Sequence, residues 1–255
     1  MFPIRDHNPS GSMPVITYTL IAMNIGVFFL HWPLITPIDR LEEFYNAWAL
    51  FPARVSSGNQ VYTLVTSMFM HGSLAHIAGN MLFLWIFGDN MEDALGKVRF
   101  VLFYLACGLL AALAQVISAP FSQIPMVGAS GAIAGVLGGY LLLYPKARVD
   151  VLFIFVIFFK IFTIPAWLIL GLWFAMQVFG GIGSVADMGG VAYWAHAGGF
   201  VAGAALAYPL WKRLGGQGFW HRHEGHPPHA AANYRWHATR VPVISRRKRK
   251  SPWGN

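Results

Sequence analysis

Charge is scarce in this chain. Asp, Glu, Lys and Arg supply 11% of its 255 residues, against the ~25% of an ordinary soluble domain. That shortage argues against a water-bathed globule, and the apolar residues, 56% of the total, gather into long runs. Cysteine is nearly absent: Cys107 stands alone, so no intramolecular disulfide can form. No His-Glu-x-x-His stretch occurs, which excludes the zincin arrangement of two ligands one helical turn apart. No signal-peptide cleavage pattern precedes the first apolar run, so the N-terminus is expected to be kept.

What is present reads as a polytopic membrane protein of the all-α class. Stretches long enough to cross ~30 Å of hydrocarbon lie at 14–32, 74–91, 98–118, 128–145, 162–180 and 191–210. The run from Val151 to Gly180 is too long for one crossing and is interrupted by Lys160 and Pro165. Val151–Phe159 is therefore expected to be an interfacial or partly buried strand-like piece. Six crossings put both termini on one side. A cytoplasmic placement collects Arg5, Lys97, Arg99, Lys146, Arg148 and the tail inside, and leaves only Arg40 and Arg54 outside, near Asp39, Glu42 and Glu43. Between the remaining spans, 119–127 carries no charge and 181–190 only Asp187.

The division expected is a short cytoplasmic N-terminus at 1–13, a six-span domain at 14–210 and a basic tail at 211–255. The tail holds ten Lys/Arg against one Glu, with His221, His223, His226, His229 and His237. It is expected to be mostly disordered and to meet anionic lipid headgroups. No fold motif for nucleic acid accompanies it. Residues 33–70 form a long external connection whose Phe44, Tyr45, Trp48 and Phe51 suit the membrane interface.

Gly131, Gly135 and Gly139 recur at four-residue spacing in the fourth span, and Gly199 and Gly203 repeat it in the sixth. Small residues so spaced let helices approach closely, so these two spans are expected to be neighbours in the centre of the bundle.

Polar side chains at membrane depth each require a reason. His71, His76 and Asn80 open the second span, Ser130 opens the fourth, and His196 lies early in the sixth. The expected topology brings all five to one depth near the external face. His76 and Asn80 are one turn apart and share a helix face. A serine needs a base to act as a nucleophile at neutral pH. Asp89, Glu92 and Asp93 fall at the far end of the second span and Asp187 in a loop, so a Ser–His dyad is favoured over a triad. No metal site is expected.

These residues resemble the rhomboid family. His71-x4-His76-x3-Asn80, Gly128-Ala-Ser130-Gly131 and Ala195-His196-Ala-Gly-Gly199-x3-Gly203 match its motifs in order, and Ile164-Pro-Ala-Trp167 is similar to the start of its fifth helix. The resemblance covers about 14–210. It implies a six-transmembrane-helix bundle and an intramembrane serine endopeptidase without cofactor. Ser130 would be the nucleophile and His196 the base; His76, Asn80 and the Ser130 backbone N–H would form an oxyanion hole, with His71 lining it. The substrates implied are single-pass membrane proteins, and the setting a bacterial or archaeal plasma membrane. Helix five and the Gly180–Gly190 loop would be a gate. Two positions depart from the pattern: Tyr62-Thr63 stand where many members have Trp-Arg, and Ala134 where some have an aromatic that stacks on the base. The rival within the family is an inactive relative that binds transmembrane clients. A channel or transporter fits less well, because the polar set stops near one face.

Overall fold

The computed structural model describes residues 2–32, 38–155, 158–184 and 190–228. Ten helices and three strands follow in the order β1 (Phe2–Asp6), α1 (Val15–His31), α2 (Ile38–Trp48), α3 (Pro52–Ser56), α4 (Thr63–Thr66), α5 (Leu74–Leu95), α6 (Lys97–Ser118), α7 (Ser130–Leu143), β2 (Arg148–Phe155), β3 (Phe158–Pro165), α8 (Ala166–Gly183), α9 (Tyr193–Leu214) and α10 (Gln217–His223). Each of the six expected spans overlaps one of the six longest helices among the described residues: α1, α5, α6, α7, α8 and α9. Among the described residues, α6 and α8 are long and apolar enough to cross a membrane by length and composition alone, while α1 and α7 are apolar but shorter.

Local chemistry sets the ends. Extended Ser73 accepts the His76 backbone N–H on its side chain and so starts α5. Gly96, at φ 78°, then reverses the chain in a single residue between α5 and α6, a conformation that costs glycine nothing. Pro165 holds an extended backbone, so α8 starts at Ala166 rather than at the beginning of the 162–180 run.

The chain is not all-α. β1, β2 and β3 form an antiparallel sheet in that order, with Val151 opposite Phe162 and Phe2 opposite Leu152. Eight residues make only ~12 Å of helix, too short to cross, and the β-branched and aromatic side chains that predominate in β2 and β3 suit a pleated ribbon. The 1–13 segment is therefore anchored by a strand. Its Arg5 and His7 both reach Asp150, at 2.8 and 2.9 Å, alongside the Thr163 hydroxyl at 2.7 Å. The tail also departs from expectation at its start. α9 continues to Leu214, left-handed Gly215 closes it, and α10 packs back through buried Phe219 and a hydrogen bond from Trp220 Nε1 to the Leu142 carbonyl (3.1 Å). His229, His237, the terminal Arg/Lys run and Asp187 lie outside the described residues.

The acids at the far end of α5 tie the bundle together. Buried Glu92 accepts the Ile16 and Thr17 backbone N–H groups and the Thr17 hydroxyl at 2.8–3.0 Å, capping α1 from a neighbouring helix. Asp93 receives Gly11 N–H and Ser12 Oγ, and Asp6 receives the Tyr140 hydroxyl at 2.7 Å.

α7 forms the centre of the bundle, and most of it is buried. The expected contact between α7 and α9 is present and is made of backbone. A Cβ on Gly199 would overlap the Gly131 carbonyl, and one on Gly203 the Gly135 carbonyl. On the other side of α7, a Cβ on Gly131 would stand 2.6 Å from the Ala111 Cβ of α6. Glycine is required at this seam because no side chain fits between the helices.

Candidate active site

Helix starts converge here. Ser130 is the first residue of α7, His196 lies in the first turn of α9, and His76 and Asn80 lie in the first two turns of α5. The glycine seam brings the first two together: Ser130 Oγ is 2.7 Å from His196 Nε2. The other ring nitrogen, Nδ1, is 2.8 Å from Gln177 Oε1 on α8. The Gln177 amide orientation follows from its own network, since its Nε2 donates to the Trp173 carbonyl at 3.2 Å and leaves the oxygen for His196. An acceptor on Nδ1 requires the proton there. Nε2 is then bare and accepts the Ser130 hydroxyl proton, which is the tautomer a general base needs.

Trp173, one turn before Gln177, lies beside the His196 ring with centroids 5.8 Å apart and planes at 31°. Gln177 and Trp173 thus supply the support that Ala134 cannot. Sequence reasoning missed both. The signal was available: Gln177 is the sole amide or ionisable side chain in α8, and a lone polar group in an apolar span asks for a partner as much as a histidine does.

The dyad opens into a cavity of about 550 Å³ lined by Ser130, His196, His76, Asn80, Trp173 and Gln115 among others. Among the described residues no Asp, Glu, Lys or Arg lines it. Asn80 Nδ2 is buried with no hydrogen-bond partner among the described residues, a donor held without an acceptor. Gly128, at φ 134°, lets His76 and Ser130 share this space: a Cβ there would stand 2.8 Å from His76 Nε2 and 3.5 Å from Ser130 Oγ. The segment around Gly128 is held from the connection between α1 and α5. Gly128 N–H donates to the Ser67 carbonyl (2.9 Å), and Leu50 pairs with Met126 through two backbone bonds.

His71 is placed differently from His76 and Asn80. It is fully buried and absent from the cavity wall, with its ring edge-on to His76 at 5.1 Å. Its carbonyl accepts His31 Nε2–H from α1 at 3.1 Å. It stands behind His76 as a support. Where Tyr62-Thr63 replace Trp-Arg, the Tyr62 hydroxyl donates to the Ala47 carbonyl (2.7 Å) and its ring meets Trp48 edge-on. Arg54, stacked over Phe51, donates to the Asn46 backbone and side chain and to Gln60. Among the described residues, no three His, Cys, Asp or Glu side chains are grouped to hold a metal ion.

The chain is similar to known proteins over much of its length. The family model described as "Rhomboid domain" matches residues 58–213. The chain is 34% identical over 199 residues to "Rhomboid protease GluP" of Bacillus subtilis, an alignment covering 77% of this chain and 36% of that protein. It is 27% identical over 206 residues to "Rhomboid protein 1, mitochondrial" of Saccharomyces cerevisiae, covering 78% and 54%. With the "Putative rhomboid protease YdcA" of Bacillus subtilis it shares 33% over 128 residues, covering 50% and 61%. The chain thus spans between about a third and three fifths of the length of these relatives.

Proposed function

The chain belongs to the rhomboid family of integral membrane proteins, and from that premise we propose that it is an intramembrane serine endopeptidase acting through a Ser130–His196 dyad on single-pass transmembrane substrates. One observation carries the reading: the 2.7 Å contact from Ser130 Oγ to His196 Nε2, with Nδ1 held by Gln177, at the wall of a cavity that His76 and Asn80 also line. In this reading His196 takes the hydroxyl proton as Ser130 Oγ attacks the scissile carbonyl. It then returns that proton to the leaving amine. The developing oxyanion is met by His76, Asn80 Nδ2 and the Ser130 backbone N–H, the last reinforced by the N-terminal end of the α7 dipole. Asn80's unpaired donor supports that role, because it has an acceptor to gain only when the oxyanion forms. His71 contributes by holding His76.

We further propose that all six long helices lie in the membrane, with both termini on the side of the basic residues and the dyad toward the other face. A substrate helix must unwind to present its carbonyl, since helical hydrogen bonds otherwise occupy it. α8, of which only four residues are buried, is the helix best placed to move aside for it. The basic tail would meet anionic headgroups, in a bacterial or archaeal plasma membrane. The client-binding alternative requires a lost serine or histidine; both are present and hydrogen-bonded here.

The deciding experiment compares wild type, Ser130→Ala and His196→Ala, purified and reconstituted in lipid, on a reporter with one transmembrane segment. Chelator-insensitive cleavage near the membrane boundary, absent in both variants, is the expected result. Cleavage that survives Ser130→Ala refutes the nucleophile.

A further inference from the structure

The hairpin β2–β3 lies at the end of the bundle away from Ser130, between α7 and α8. Its two halves differ in chemistry. Near the base, one face is polar, with Arg148, Asp150 and Thr163 joined by Arg5 and His7, while the other buries Val149 and Val151 in the core. Toward the tip this polarity disappears. Ile154, Phe159, Ile161 and Phe162 are 47%, 67%, 56% and 41% exposed. In register, Ile154 faces Phe159 and Leu152 faces Ile161, so apolar side chains project from the very face that is polar at the base. Such a ribbon has no reason to be apolar if water surrounds it.

What lies next to it identifies the occupant. β3 enters α8 through Pro165, and the first turns of α8 expose Trp167, Leu168 and Leu172. The exposed apolar surface of the hairpin is thus continuous along the chain with the lipid-facing side of α8. Trp167, half-exposed at the junction, is the residue type that marks the headgroup level. Charge agrees: Lys146, Arg148 and Lys160 are exposed in this region, and the Lys160 ammonium folds over the Phe162 ring at 5.0 Å from its centroid. A lysine with its stem on an apolar surface and its head free suits a phosphate layer.

We propose that the outer half of the β2–β3 hairpin is a lipid anchor, seated in the headgroup–acyl boundary of the leaflet opposite the dyad. The occupant is the bilayer that holds the bundle, so the inference rests on the membrane-embedded reading of α8. An eight-residue strand reaches ~26 Å, and its outer half fits the 5–10 Å depth of interfacial elements. The ribbon lies at the boundary and does not cross, because β3 is an edge strand whose unpaired backbone groups require water or headgroups. The anchor would hold the start of α8 to the lipid while the other end of that helix stays free to move.

The test is spin-label accessibility in the full chain reconstituted in phosphatidylcholine–phosphatidylglycerol vesicles. Single cysteines are placed at Phe159, Ile161, Thr163 and Leu172; native Cys107 is fully buried and stays unlabelled. Lipid-soluble oxygen and a water-soluble nickel chelate are the two relaxants. Labels at 159 and 161 are expected to favour oxygen, approaching Leu172, while Thr163 favours nickel. Nickel-accessible labels at 159 and 161 beside an oxygen-accessible label at 172 overturn the anchor and leave the bundle reading standing. Exclusion of both relaxants at 159 and 161 overturns it in favour of a protein contact, such as a second copy paired along β3. A nickel-accessible label at 172 removes the embedded reading and the anchor with it.

Discussion

Removing the Gln177 side chain isolates the contribution of one hydrogen bond to the base. In the resting site, Nδ1–H of His196 donates to a neutral amide at 2.8 Å. When Nε2 takes the serine proton the ring becomes a cation, and the same bond becomes charge-assisted. A neutral bond contributes ~1 kcal/mol net and one to a charged group ~1.5–3 kcal/mol, so the loss falls on the transition state. The bond therefore gains ~0.5–2 kcal/mol between the resting site and the transition state, and at 1.36 kcal/mol per tenfold Gln177→Leu is expected to lower kcat by roughly 2- to 30-fold. KM should stay near wild type, because Gln177 lies behind the imidazole and is absent from the cavity wall. Leu matches the volume and removes only the hydrogen bonds, so melting in detergent should change little. Initial rates on the transmembrane reporter give kcat and KM separately. Ring-nitrogen NMR should show the tautomer, fixed with Nδ1 protonated in wild type, becoming mixed in the variant. Wild-type kcat in Gln177→Leu, or an unchanged tautomer, refutes the reasoning.

Gly128→Ala places a Cβ 2.8 Å from His76 Nε2 at a φ of 134°; strain of ~1–3 kcal/mol and a displaced oxyanion donor should remove most activity in the reporter assay. Its control, Gly171→Ala on α8, meets nothing within 4 Å and should match or exceed wild-type melting temperature. Glu92→Ala orphans two backbone donors and the Thr17 hydroxyl at the start of α1 and should cost about 3 kcal/mol of stability, with Glu92→Gln much milder in the same melting assay. Burial lifts the Asp6 carboxyl from 3.8 to about 7 despite the hydrogen bond from Tyr140. The folded state therefore keeps a proton that the unfolded chain releases. That stability is complete below about 3.8 and lost as pH rises through about 7. Hydrogen exchange of β1 amides should accelerate across that interval, and Asp6→Asn should flatten the dependence.

The dyad could be read from the sequence because a membrane makes polar residues conspicuous. Ser130, His196, His76 and Asn80 were found by asking which groups hydrocarbon would not tolerate, and the structure gathers all four at one cavity. The seam between α7 and α9 was legible for a related reason, since glycines at four-residue spacing leave few other uses. Gln177 stands apart from the three motifs in the sequence, and an amide orienting a base leaves no spacing signature. His71 was expected to line the oxyanion hole, but the chain's entry into α5 sets it behind His76. The sheet was half legible: Val151–Phe159 could not be a crossing helix, yet its partners lie at Phe2–Asp6 and across Lys160, and long-range strand pairing has no local sequence mark. α10 was hidden by the composition of the tail, where basic residues and histidines mask buried Phe219.

The nucleophile helix is short. α7 has 14 residues where α6 and α9 have 22, so it spans ~21 Å against ~30 Å of hydrocarbon. With Leu143 level with the far boundary, Ser130 lies ~9 Å below the near one. In the proposed function the depth of cut is therefore a chain length, set by the count of residues between Ser130 and Leu143. It would determine how far inside the leaflet a target bond must reach, and it would make water a reagent to be stored below the surface. The 550 Å³ cavity can serve as that reservoir, being many times the ~30 Å³ share of one water. Lengthening α7 by one turn would raise the serine ~5.4 Å and move the preferred cleavage position toward the substrate's juxtamembrane end.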